Sequence, residues 1–197
     1  MTADRPRRGR GRRPAAEVRE EILEAAAELL FDQGMGAFTI EKIASRSGAS
    51  KMTIYKWWPS KGALALDGYF HKVEPELAFP DTGDIEADLR AQLHAFLRVI
   101  RGSPAGPVIA ELIGQAQSDP ELKAGYLQRY SSPRRALAVA AMEKAKERGQ
   151  LRGSLDCETV VDQLWGACYH RLLLPDQPLT REFVDALVDN LFRGISG

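Results

Sequence analysis

A chain of 197 residues that is 44% hydrophobic and 27% charged has the balance of a soluble globular protein of one or two domains, which excludes disorder over most of its length. Its apolar runs, such as residues 172–174 and 138–142, fall far short of the roughly 18 needed to cross a bilayer. The net charge of +0 hides a polarity: residues 1–14 hold six arginines against one acid, Asp4, residues 15–72 hold seven basic and eight acidic side chains, and residues 73–197 hold fourteen and eighteen. No apolar run follows the N-terminal arginines before Pro14, so a secretory signal is not expected and a cytoplasmic location is.

In chain order, residues 1–14 are rich in arginine, glycine and proline, cannot bury apolar surface, and are expected to form a disordered basic arm. Over residues 15–33, Val18, Ile22, Ala26, Leu29 and Leu30 recur at helical spacing, and Gly34 stands where a C-cap belongs. Thr39 is a good N-cap for a second helix carrying Ile40, Ile43 and Ala44, which the turn Ser47-Gly48-Ala49 ends. Ser50 caps a third, short helix with Met52, Ile54 and Trp57 as its apolar members. Trp58-Pro59 halts it, because the residue before proline is driven out of helical geometry. Ser60 caps a fourth helix through Leu64, Leu66, Tyr69 and Phe70. Beyond Pro75, Pro80 and Gly83, five further helices are expected over residues 84–101, 104–118, 119–148 (with Pro133 inside), 156–174 and 180–195. The fold class is all-α, with about nine helices: a helix-turn-helix domain over residues 15–73 and a helical bundle over residues 84–197, with packing continuous across residues 74–83.

Two short helices joined by a small-residue turn make a helix-turn-helix, and Ala44, Gly48 and Ala49 let such helices cross closely. The third helix offers Lys51, Thr53, Tyr55 and Lys56 near its outward face: cations for phosphates, and hydroxyls for phosphates or base edges. No acid lies between Glu41 and Asp67, a stretch that also holds Lys42, Arg46 and Lys61, so its potential is positive and double-stranded DNA is the expected partner. Arg10, Arg12 and Arg13 of the arm are expected to add DNA contacts, either inside the minor groove or as a phosphate tether.

The run AAELLFDQGMGAFTIEKIASRSGASKMTIYKWWPSKGALALDGYF resembles the N-terminal domain of the TetR family of bacterial transcriptional regulators, with Gly34, Thr39-Ile40, Ile43-Ala44, Gly48, TIYKWW and Ser60-Lys61 in register. The resemblance implies that residues 50–57 (Ser50, Lys51, Met52, Thr53, Tyr55 and Lys56 among them) form the recognition helix. It further implies that Thr39 and Lys61 touch the DNA backbone and that Tyr55 lies against a phosphate. Where many members have a histidine and a phenylalanine this chain has Trp57 and Trp58, and Trp57 is expected to pack rather than to touch DNA. Residues 84–197 then resemble the family's C-terminal domain, which dimerises through its last two helices and encloses a small-molecule effector.

His94, Tyr126, Tyr130, Trp165 and Tyr169 are the expected effector-pocket residues, suited to an apolar or aromatic ligand. The last two helices carry Leu164, Cys168, Leu172, Phe183, Leu187 and Leu191 on broad apolar faces, with Ile195 at the end, and a homodimer interface is expected there. Cys157 and Cys168 are expected to stay reduced. No nucleophile motif or phosphate loop is present, and His71, His94 and His170 have no metal-ligand spacing beyond a common i, i+3 pair of His71 with Glu74, so neither an enzyme, a cofactor nor a metal is expected. The expected function is a dimeric repressor that binds a palindromic operator and is released by an effector. An architectural DNA-binding protein of low specificity is the alternative.

Overall fold

Side-chain caps set where most of the helices begin. Thr39 accepts a hydrogen bond from the Lys42 amide at the head of α2 (Ile40–Ser47), Ser50 from the Thr53 amide at α3 (Lys51–Trp57), and Ser60 from the Ala63 amide at α4 (Lys61–Val73). Asp84, Asp119, Asp156 and Thr180 do the same for α5 (Ile85–Gly102), α7 (Pro120–Tyr126), α9 (Cys157–Leu173) and α10 (Arg181–Arg193). Each satisfies an otherwise orphaned amide and is worth about 1 kcal/mol. The computed structural model describes residues 13–194, among which α1 (Ala15–Ala37), α6 (Ala105–Ala116) and α8 (Ser132–Glu147) complete an all-helical fold with no strand. The expectations for residues 1–12, including Arg10 and Arg12, and for Ile195 lie outside the described residues.

Among the described residues ten α-helical spans make nine rods, because α7 runs into α8 without a break. A π-helical turn, Leu127–Ser131, joins them, with the Ser132 amide bonded to the Leu127 carbonyl and the flanking residues in helical conformation. Pro133 lies at the start of α8. A proline inside a helix lacks an amide and crowds the carbonyl four residues back, and the wider π turn sits where that mismatch must be absorbed. Gly34 (φ 70°, ψ 179°) breaks α1 just after the expected helix end, and one further turn follows to Ala37.

α1 packs along α4, crossing α2, and the same apolar core continues without interruption through α5, α6 and α8 to α9 and α10. The approach of α1 to α4 is close enough that a Cβ on Gly68 would lie 3.1 Å from the Ala26 Cβ. Buried Asp88 closes the connection into α5 by accepting from the Thr82 amide and hydroxyl, the latter at 2.7 Å. Arg90 ties α5 to α10 through Asp185 (3.1 Å) and Asp189 (2.7 Å), and Arg135 ties α8 to α9 through Glu158 and Asp162.

Two of the residues expected at a dimer face belong instead to this core. Leu164 and Cys168 are each 0% exposed in the single chain, because α9 turns that stripe inward against the bundle. Leu172, Phe183, Leu187 and Leu191 are half-buried, packed against the core with one side open. Met52, read as an apolar member of its helix, is 84% exposed.

Candidate nucleic-acid interface

The turn between α2 and α3 is built by Ser47 and Gly48. Ser47 is buried, donates from Oγ to the Ile43 carbonyl at 2.8 Å and accepts from the Ala49 amide, while Gly48 takes the left-handed conformation (φ 66°, ψ 14°) that side-chain-bearing residues avoid. α3 is then held by Ile54, its one fully buried side chain, with half-buried Trp57 packed on the core beside it. Trp58, 1% exposed, ends the helix with its ring edge-on to Trp57.

This anchoring turns the rest of α3 outward. Lys51, Met52, Tyr55 and Lys56 are exposed and Thr53 is partly so, with its hydroxyl 2.9 Å from that of Ser50. Lys61, at the first turn of α4, is exposed, and Thr39 is half-buried at the head of α2. Arg13 reaches the turn before α3, its guanidinium 3.4 Å from the Gly48 carbonyl and paired with Glu21.

Space departs from sequence in one respect. The stretch free of acids along the chain is not free of them on the surface, since Glu41 of α2 folds back to pair with Lys51 of α3. The lysine's hydrogen bond holds the Glu41 carboxyl below its usual range.

The bounding acid at the other end points inward. Asp67 of α4 accepts from the Trp58 indole N–H at 2.8 Å and pairs with Arg129 of the π turn and, at 3.7 Å, with Arg19 of α1. The C-terminal end of α3 is therefore wired to the second half of the molecule through a single carboxylate. Sequence reasoning missed this junction, because no spacing rule joins residues 58, 67 and 129. Beside it the rings of Phe70 and Tyr130 stack at 4.1 Å with 5° between their planes.

Tyr130 also lines a cavity of about 220 Å³ bounded by α5, α8, α9 and the π turn. Tyr126, Tyr130, Trp165 and Tyr169 of the expected pocket residues border it, together with Phe79, Gln92 and Arg134, which the sequence reading did not include. His94 does not: its Nε2 lies 2.8 Å from Asp185, in the packing of α5 on α10, because that helix position turns away from α8. Burial keeps the phenols of Tyr126, Tyr130 and Tyr169 protonated, pushing that of Tyr126 up to about 12 and raising the other two. Among the described residues no cluster of three metal-ligating side chains occurs, and no helix is long and apolar enough to cross a membrane.

Comparison with known proteins places this architecture. A family profile described as tetracyclin repressor-like, C-terminal domain matches residues 79–191, and one described as bacterial regulatory proteins, tetR family, matches residues 22–67. The chain is 56% identical to the TetR family transcription regulator SCO0332, whose crystal structure superposes with a TM-score of 0.86 over 92% of this chain and 100% of that one. It is 38% identical to the HTH-type transcriptional regulator YdeS of Bacillus subtilis, over 94% of this chain and 93% of YdeS. It is also 28% identical to the DNA-binding transcriptional repressor TetR of Mycobacteroides abscessus, over 86% of this chain and 89% of that repressor. The chain belongs to the TetR family and is a DNA-binding transcriptional regulator, not an enzyme.

Proposed function

We propose that the protein works in the cytoplasm as a homodimeric repressor, binding a palindromic operator with α3 of each protomer and released when a small molecule enters the cavity beside Tyr130. Residues 15–73 serve as the DNA-reading domain, residues 84–197 as the effector and dimerisation domain, and residues 1–14 as a basic arm. The observation that carries this reading is the outward display of Lys51, Thr53, Tyr55 and Lys56 over a single buried anchor, Ile54. Thr53 and Lys51 are positioned for base edges, while Thr39, Ser50, Tyr55, Lys56 and Lys61 suit the phosphates on either side. One helix of seven residues reads few base pairs, and two held about 34–36 Å apart read successive major grooves of a palindrome.

A second chain would seat on the outer face of α9 and α10. His170 and Leu173 of α9 and Ala186 and Asn190 of α10 face solvent, flanked by half-buried Leu172, Phe183, Leu187 and Leu191.

Release follows from the wiring. Tyr130 in the cavity wall and Arg129 on the Asp67 carboxylate are consecutive residues of one π turn. A ligand that favours a different setting of this turn shifts Asp67, and with it Trp58 at the end of α3, and weakens DNA binding by its differential affinity for the two settings.

The test uses positions that are exposed in the single chain. Ala186→Arg with Asn190→Arg should leave helix content intact, convert the protein to a monomer by sedimentation, and bring affinity for DNA selected by the parent down toward the non-specific level. A double variant that still sediments as a dimer, or a monomer that binds selected DNA as tightly as the parent, would contradict the two-fold reading.

A further inference from the structure

The chemistry of the cavity goes beyond its aromatic walls. Phe79, Tyr130, Trp165 and Tyr169 give flat apolar surfaces, and about 220 Å³ is small beside the roughly 300–1,000 Å³ of ordinary ligand pockets. One ring, or two fused rings, matches this volume.

The lining also holds Ser131 and the ion pair of Arg135 with Asp162, and two further polar side chains, Arg134 and Gln92, stand among the rings. Arg134 holds its guanidinium 5.5 Å from the Tyr130 ring centroid and donates to the Leu77 carbonyl at 2.8 Å, but among the described residues it has no carboxylate partner. Its neighbour Arg135 differs, being paired with both Glu158 and Asp162. Gln92, 1% exposed, donates from Nε2 to the same Leu77 carbonyl at 3.1 Å, and its Oε1 has no hydrogen-bond partner among the described residues. That bond fixes which end of the amide is unpaired. Sharing one carbonyl sets the two groups side by side: a cation with unused, fork-shaped donors next to a buried acceptor in need of a donor.

We propose that the cavity takes a small aromatic carboxylate bearing a hydroxyl next to the carboxylate: Arg134 binds the carboxylate, Gln92 Oε1 accepts from the hydroxyl, and the ring lies against Trp165 and Tyr130. A cation is disfavoured, because Arg134 is unpaired and the one carboxylate in the lining, Asp162, is already paired with Arg135. A neutral aromatic molecule fills the volume and leaves both polar groups unmet. The inference rests on the effector reading of this cavity and deepens it by naming the ligand class.

Four single-ring probes separate the contributions: mandelate, phenylacetate, which lacks the hydroxyl, 2-phenylethanol, which lacks the charge, and 2-phenylethylammonium, which reverses it. Calorimetry on the full chain should rank them in that order, with a step of about tenfold or more from 2-phenylethanol to phenylacetate, the ratio expected of one charge-assisted hydrogen bond. Arg134→Gln should erase that step and leave the weak binding of 2-phenylethanol. Arg134→Lys should retain part of it, which separates loss of charge from loss of fold. Gln92→Leu should erase the advantage of mandelate over phenylacetate alone, and Arg98→Gln, exposed elsewhere on α5, should change nothing.

The proposal is overturned if 2-phenylethanol binds as tightly as phenylacetate, if Arg134→Gln keeps the preference, or if none of the four binds. DNA affinity measured alongside keeps the two readings apart. A neutral probe that binds the cavity and releases DNA would remove the carboxylate and leave effector release standing. Phenylacetate that binds as described without weakening DNA binding would do the reverse.

Discussion

On the reading head, the polar side chains of α3 point outward over a single anchor, Ile54, whereas around the cavity Gln92 and Tyr130 are buried and Arg134, Tyr126 and Tyr169 are partly so, among α5, α8 and α9. A water-exposed hydroxyl or ammonium keeps its hydrogen bonds whether or not DNA is present, so the head can be fully polar at little cost to folding. An enclosed polar group must find a partner in the protein or await one from outside. The difference teaches where each kind of specificity is stored. Under the proposed function, the head stores it in the side chains it displays and the cavity in the hydrogen bonds it leaves unmade.

The largest effect should come from cutting beneath the display. Ile54→Ala removes the side chain that seats α3 and should destabilise the protein by about 2–5 kcal/mol, lowering Tm and abolishing tight DNA binding. Met52→Ala, two positions away and exposed, should leave Tm unchanged. Equal Tm values for the two variants would mean that α3 is not anchored as described.

The junction between the regions comes next. Asp67→Ala strands the Trp58 indole N–H and should cost about 1–3 kcal/mol of stability. If Asp67 carries the coupling, the variant's DNA affinity should also stop responding to any cavity ligand that weakens the parent's binding. A variant that loses stability yet keeps a full response would move the coupling to the Phe70–Tyr130 stack.

Lys56→Ala and Lys61→Ala probe the display by charge. Each should weaken binding to selected and random DNA by similar factors and lower the salt slope by roughly one unit, since a phosphate contact carries no base information. Unchanged slopes would remove both lysines from the interface.

The smallest effect has the opposite sign. Glu41→Gln frees Lys51 and takes one negative charge off the DNA-facing surface, so affinity should rise a few-fold at low salt and the gain should shrink as salt screens it. A loss of affinity would show that Glu41 is needed to pre-position Lys51.

The head was more legible in the sequence than the cavity, for a physical reason. Its information is local: Thr39, Ser50 and Ser60 cap the helices that follow them, Gly48 sets the turn, and Pro59 stops α3. Such effects act within a few residues and leave a readable pattern. The cavity depends on residues far apart in the chain. The aromatic members Tyr126, Tyr130, Trp165 and Tyr169 could be named as a group, but rotation about α5 decides that Gln92 faces them and His94 faces Asp185. The same limit accounts for Leu164 and Cys168: periodicity reveals that a helix has an apolar stripe, and packing alone decides whether the stripe meets its own bundle or a second chain.

The central claim is that α3 reads sequence, and selection of DNA from a random pool tests it most directly. The account predicts a palindromic consensus whose half-sites lie about 10–10.5 base pairs apart or a multiple of this, bound at least roughly a thousandfold more tightly than random duplex at physiological salt, and a changed consensus when Thr53→Ala is used for the selection. A pool that yields no consensus, or a specificity ratio near one, would contradict it and leave a protein that coats DNA through charge alone.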